Sequence, residues 1–145
     1  MNHSAPRLDE LEALALQVLW QMRQDAQRAY EPLGFSSMQC LALNLIRSGV
    51  EQPGALAEVL EASPPGVSQL LNSLEDRGLI RREIEASDRR RIRLTLTAQG
   101  EEQLGELNRR WREVTLPRYR QLSEGEIETL IAVYQKMLGV LEEAP

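Results

Sequence analysis

"DRRRIRLTLTAQG", Asp88 to Gly100, is the stretch on which the fold turns. Four arginines fall within five residues, and Ile92, Leu94 and Leu96 then alternate with Arg91, Arg93, Thr95 and Thr97. A period of two is the pattern of a half-buried strand. Upstream, Leu79 to Ile84 reads as the partner strand, with Glu85 to Arg90 as the turn between them. The pair predicts a β-hairpin whose turn is loaded with arginine.

Two short helices are predicted directly before this hairpin. "EQPGALAEVLEA" has Pro53 placed for a first turn. "SPPGVSQLLNSLEDRG" has Ser63 as cap, Pro64 as first residue and Gly78 as stop. About three residues join them, which is the outline of a helix-turn-helix. In the second of these helices Val67, Leu70, Leu71 and Leu74 share one face and are expected inside. Pro65, Gln69, Asn72 and Asp76 point the other way, flanked by Ser68 and Ser73.

Longer helices lie on either side. Leu8, Leu11, Leu14 or Ala15, Val18, Leu19, Met22 and Ala26 recur at helical spacing over roughly residues 6 to 30, and "EPLGF" ends that run. Ser36 and Gln39 then form a capping box, with Phe35 and Cys40 as its hydrophobic staple, and Gly49 closes the helix. After the hairpin, Thr97 caps a helix carrying Leu104, Leu107 and Trp111, which Pro117 kinks or ends. Ser123 and Glu126 open a last helix through a second capping box, stapled by Leu122 and Ile127. Its stripe is Ile127, Leu130, Ile131, Tyr134, Met137 or Leu138, and Leu141.

The expected fold is therefore mainly α with a small β-hairpin wing, a winged helix-turn-helix. The winged lobe spans 34–97 of a single 1–145 domain, and 1–33 and 98–145 supply long N- and C-terminal helices. Those terminal helices carry more apolar surface than a small winged lobe can cover. The excess predicts a dimer built from both chain ends.

Charge points to the partner. The chain carries a net −5 with a sequence pI near 5.0. Segment 77–93 nevertheless holds seven arginines against Glu83, Glu85 and Asp88, a local +4 that leaves −9 for the remainder. Positive charge gathered at one edge of an acidic chain is the footprint of a phosphate-contacting wing. Gln and Asn on the preceding helix are able to pair bidentately with adenine, and Ser with several bases or phosphate. The N-terminus of that helix is expected to offer free N–H groups to a phosphate.

"LAEVLEASPPGVSQLLNSLEDRGLIRR" and "DRRRIRLTLTAQG" resemble the helix-turn-helix and wing of the MarR family of bacterial transcriptional regulators. The wing motif is an Asp-x-Arg, then Leu-x-Leu-Thr, with a Gly three residues on. The resemblance extends over essentially the whole chain. It implies a homodimeric DNA-binding repressor whose fourth helix enters a major groove and whose wing enters a minor groove. Ser63, Pro65, Gly66, Ser68, Gln69, Asn72 and Ser73 are the DNA-contacting candidates on the helix, and Asp88, Arg89, Arg90 and Arg91 those on the wing. Asp88 matches the wing aspartate that holds the arginine in place, and Arg90 the arginine that reaches the minor groove, leaving Arg89 and Arg91 for phosphates. Two departures stand out. Gln69 or Ser73 occupies a place where many members are basic, and Glu61 precedes the cap where a Gly is common.

The resemblance also implies release from DNA by a small phenolic or aromatic carboxylate, with Trp20, Tyr30 and Met38 as candidate wall residues. Cys40 is the candidate for redox sensing; its alternative is packing as a small hydrophobe. A wing that binds an acidic protein is the reading from a different class. One His and one Cys make no usual zinc site, and no phosphate loop or catalytic triad is present, so neither a cofactor nor an enzyme is expected. No stretch approaches a membrane span or signal peptide, and one cysteine fits a reducing compartment, so a cytoplasmic location is expected.

Overall fold

A computed structural model describes residues 5–143, without the side chains of residues 5, 6, 89 and 140–143. The chain forms two compact units, Met1–Trp111 and Arg112–Pro145. Helix α1 is Ala5–Tyr30, followed by a 3-10 turn at Glu31–Leu33 that the sequence reading did not anticipate. Next come α2 (Ser37–Ser48), α3 (Pro53–Leu60), α4 (Pro64–Asp76), β1 (Ile80–Glu85), β2 (Asp88–Leu96), α5 (Ala98–Tyr119) and α6 (Glu124–Glu143). No described helix is long and apolar enough to cross a membrane.

Local chemistry sets most of these limits. At the start of α2, Gln39 N–H donates to Ser36 Oγ at 3.1 Å, and Ser36 N–H donates to Gln39 Oε1 at 2.9 Å. Phe35 and Cys40, the expected staple, are both buried. Gly49 ends α2 in the left-handed region at φ 112°, where an L side chain is strained. Ser123 and Glu126 make the same reciprocal pair at α6. Thr97 Oγ1 accepts from Gly100 N–H at 2.9 Å and so caps α5. Pro117 does not end α5, which continues to Tyr119.

The turn into α4 departs from the usual glycine without losing its geometry. Glu61 sits at φ 48° and ψ 41°, and it is the non-glycine at positive φ among the described residues. An αL residue here lets the N–H groups of Glu61 and Ala62 return to carbonyls of α3, so the chain reverses tightly into Ser63.

The core of the first unit is aliphatic. Leu43, Leu56, Leu71, Leu74, Ile80, Leu94, Leu104 and Leu107 are fully buried. Each such side chain stabilises the fold by roughly 2 kcal/mol relative to exposure. Helix α4 packs on α3 and β1, and α2 packs on β2, so α4 and the hairpin are built on the same group of helices. The hairpin is antiparallel, with Ile80 opposite Leu96 and Ile84 opposite Ile92. Burial fades toward its tip: Leu94 is buried but Ile84 and Ile92 are exposed.

Candidate nucleic-acid interface

Helix α4 presents a sharp division. Val67, Leu71 and Leu74 are buried, while Pro65, Ser68, Gln69, Asn72 and Asp76 are exposed. Ser63 caps the helix, its Oγ accepting from Gly66 N–H at 3.2 Å. That bond corrects one expectation. Pro64 and Pro65 have no N–H, Gly66 is committed to Ser63 Oγ, and Val67 N–H bonds to the Ser63 carbonyl. The first turn of α4 therefore keeps its dipole but has no free N–H for a phosphate.

Two of the named helix residues are also engaged within the fold. Ser73 is half-buried; its hydroxyl donates to the Leu70 carbonyl at 2.7 Å and accepts from Gln39 Nε2 at 3.2 Å. It ties α4 to the capping box of α2 instead of facing outward. Asn72 is exposed, but its Oδ1 accepts from Arg82 Nη2 at 2.6 Å. The uncharged outward set of the helix is thus Ser68, Gln69 and Asn72, with Glu75 and Asp76 exposed beside it.

At the wing, the loop is shorter than expected. Only Ala86 and Ser87 lie between the strands, and Asp88 already pairs with Glu85. The register passes from Ile84 opposite Ile92 to Glu85 opposite Asp88, so residues 89–91 are carried as a bulge on β2. Such extra residues have no cross-strand partner in the ladder. Asp88 Oδ1 accepts from Arg90 N–H at 3.0 Å, pinning the start of the bulge, and its Oδ2 lies 3.9 Å from Arg91 Nε. Asp88 therefore acts on the Arg90 backbone. The Arg89 side chain lies outside the described residues.

Among the described residues, the arginines of segment 77–93 do not act as one patch. Arg77 Nη1 donates to the Gly34 carbonyl at 2.8 Å, and its guanidinium stacks 3.6 Å from the centre of the Phe35 ring. Arg82 spans Asn72 and Glu75. Arg93 pairs with Glu51 at 3.0 Å, and Leu94 N–H donates to the Glu51 carbonyl, which anchors β2 to the loop before α3. Arg81 and Arg90 carry no ion pair among the described residues. No spacing rule reveals these partners, which lie between seven and 43 positions away in sequence.

The three effector candidates are not brought together. Tyr30 is buried and stacks on Trp111, with ring centres 5.8 Å apart and 20° between planes. Met38 is exposed on α2. Trp20 lines a surface hollow of about 840 Å³ along α1 with Leu16, Leu19 and Arg23. Cys40 is buried, and burial pushes its thiol up to about 12, against a smaller opposing pull from the Arg77 guanidinium. A thiol held neutral at physiological pH is a poor nucleophile, so its surroundings favour the packing role.

The family profile described as "MarR family" matches residues 33–91, which take in α2 to α4 and the arginine bulge. The transcriptional regulator HosA of Escherichia coli O157:H7 is 34% identical over 93 residues, covering 64% of this chain and 68% of that protein. Two structures of MepR from Staphylococcus aureus are similar over 90% of this chain at 29% identity. One is MepR in its DNA-binding conformation, with a TM-score of 0.75 and 98% of that chain covered. The other is a mutant bound to an oligodeoxyribonucleotide, at 0.63 and 97%. These relatives and structural neighbours are transcriptional regulators, a non-enzymatic family, and by fold and sequence this chain belongs to the MarR family of DNA-binding transcriptional regulators.

Proposed function

We propose that the protein is a homodimeric repressor of a pseudo-palindromic promoter site. Helix α4 of each protomer reads a major groove through Ser68, Gln69 and Asn72, and each wing places Arg90 in the adjacent minor groove. The observation that carries this reading is the bulge at residues 89–91, set on Asp88 and free of cross-strand partners. A narrow minor groove concentrates negative potential and attracts an arginine so presented. Two-fold symmetry then sets the half-sites about one helical turn, ~10 bp, apart.

The dimer supplies that symmetry. Leu11, Leu16, Leu19 and Trp20 on α1 are more than half exposed, as are Ile131, Met137 and Leu138 on α6. Apolar surface of that extent is covered by a second copy. A small aromatic effector binding beside Trp20 and preferring a dimer with displaced reading heads would release the DNA.

Fluorescence anisotropy on duplex from the protein's own promoter region, against a random duplex and across a salt series, tests the reading. Tight binding that prefers the promoter and falls steeply with salt is expected. Equal weak binding to both duplexes counts against it.

A further inference from the structure

The unusual feature of the reading face is that a side chain from the wing strand holds a side chain of the reading helix. Arg82 pairs across the hairpin with Leu94, one alternation out from buried Ile80. From there its Nη2 donates to Asn72 Oδ1 at 2.6 Å, while its Nε faces Glu75 Oε2 at 3.2 Å. Asn72 and Glu75 are neighbours on one face of α4, three residues apart. The Arg82 side chain is 27% exposed, and its Nε is shut off from solvent with no hydrogen-bond partner among the described residues, so it is the Nη2 bond to Asn72 and the charge of Glu75 that hold the guanidinium.

The chemistry determines which way Asn72 points. A guanidinium only donates, so the Asn72 atom facing it is the carbonyl oxygen. Its NH2 is then the group left for DNA. A bidentate bond to adenine needs that oxygen to accept from adenine N6 while the NH2 donates to N7. Here the oxygen already takes a short, charge-assisted bond, which adenine would have to share or displace. Guanine asks nothing of it, because guanine presents two acceptors, N7 and O6.

Resting on the DNA-binding reading above, we infer that Arg82 is a positioning residue that turns Asn72 into a hydrogen-bond donor, so that α4 selects guanine over adenine at the base Asn72 meets.

The test is selection of bound sequences from a random duplex library by the full-length protein, its Arg82→Ala, Arg82→Met and Asn72→Ala variants, and the Arg82→Ala/Asn72→Ala double variant. Asn72→Ala identifies the position concerned by flattening preference there. At that position the wild type enriches guanine, and Arg82→Ala moves the guanine-to-adenine ratio at least about fivefold toward adenine. The rest of the site is unchanged, and in the double variant the loss of Arg82 adds nothing at that base. Arg82→Met keeps the apolar stem but has no donor for Asn72 Oδ1. It shows the Arg82→Ala base preference with the wild-type salt slope, and it carries the test if Arg82→Ala does not fold. An unchanged base preference in a folded Arg82→Met protein overturns the inference. So does uniform weakening on every sequence by both variants with a reduced salt slope, the signature of a phosphate contact. A wild type that enriches no sequence overturns the DNA reading itself.

Discussion

Gly100 packs so tightly under Leu79 that a Cβ added to it would overlap the Leu79 carbonyl oxygen. The same carbonyl accepts from Thr97 N–H at 3.0 Å, so the entry of α5 is laid directly on the start of the hairpin. The glycine three residues after Thr97 is therefore a steric necessity and not a flexible joint. Gly100→Ala is expected to destabilise the protein by about 1–3 kcal/mol, the usual cost of overpacking against backbone that cannot move aside. Urea unfolding measures it, and an unchanged midpoint would show that the helix can shift.

Variants of Arg77 and Arg90 test the division between architecture and the proposed DNA contact. Arg77→Ala removes two hydrogen bonds to the carbonyls of Leu33 and Gly34 and the stack on Phe35. A stability loss of about 1–3 kcal/mol is expected, with no change in the salt slope of DNA binding. Arg90→Ala should do the opposite, leaving the melting temperature unchanged while weakening DNA binding by at least ~1 kcal/mol. Full affinity in a folded Arg90→Ala dimer would remove the wing from the interface.

Alkaline pH reports on the α2 core. Burial raises the Cys40 thiol from 9.0 to about 12 and the Tyr30 phenol from 10.0 to about 12. The folded state thus holds protons that the unfolded state releases. Stability from this source is fully present below about pH 9 and declines as pH climbs toward 12. Unfolding free energies taken across that range should fall, and less steeply in Cys40→Ala. Equal slopes in the two proteins would mean the thiol is not protected. Dilute peroxide at neutral pH should leave DNA binding intact.

The exposed face of α1 tests the assembly. Leu16 and Leu19 are 71% and 64% exposed in the single chain, and a carboxylate at such a site costs nothing in a monomer. Leu19→Glu should leave the helix content unchanged and shift sedimentation equilibrium from dimer to monomer. DNA affinity should fall with it, because one reading head lacks the second half-site. An intact dimer would place the subunit contact elsewhere.

What was legible in the sequence is what short-range physics controls. Capping pairs three residues apart, glycines at left-handed stops and the switch from helical to alternating period announced the α-helices and both strands within a few residues, though not the 3-10 turn at Glu31–Leu33. Asp-x-Arg with Leu-x-Leu-Thr announced the wing. Even the lack of free N–H groups at α4 was written in Pro64-Pro65. The use of each arginine was not. A guanidinium reaches whatever carbonyl or carboxylate the fold brings near, and Gly34 for Arg77, Glu51 for Arg93 and Asn72 for Arg82 are near only after α1, α2, α4 and the hairpin have packed. Ser73 likewise turned inward because Gln39 arrives from another helix. Composition and pattern therefore determined the elements and the kind of partner. Tertiary packing alone decided which charges brace the fold and which, like Arg90 at the bulge beside Asp88, are left without an ion pair among the described residues, because charge pairing depends on distance in space and not along the chain.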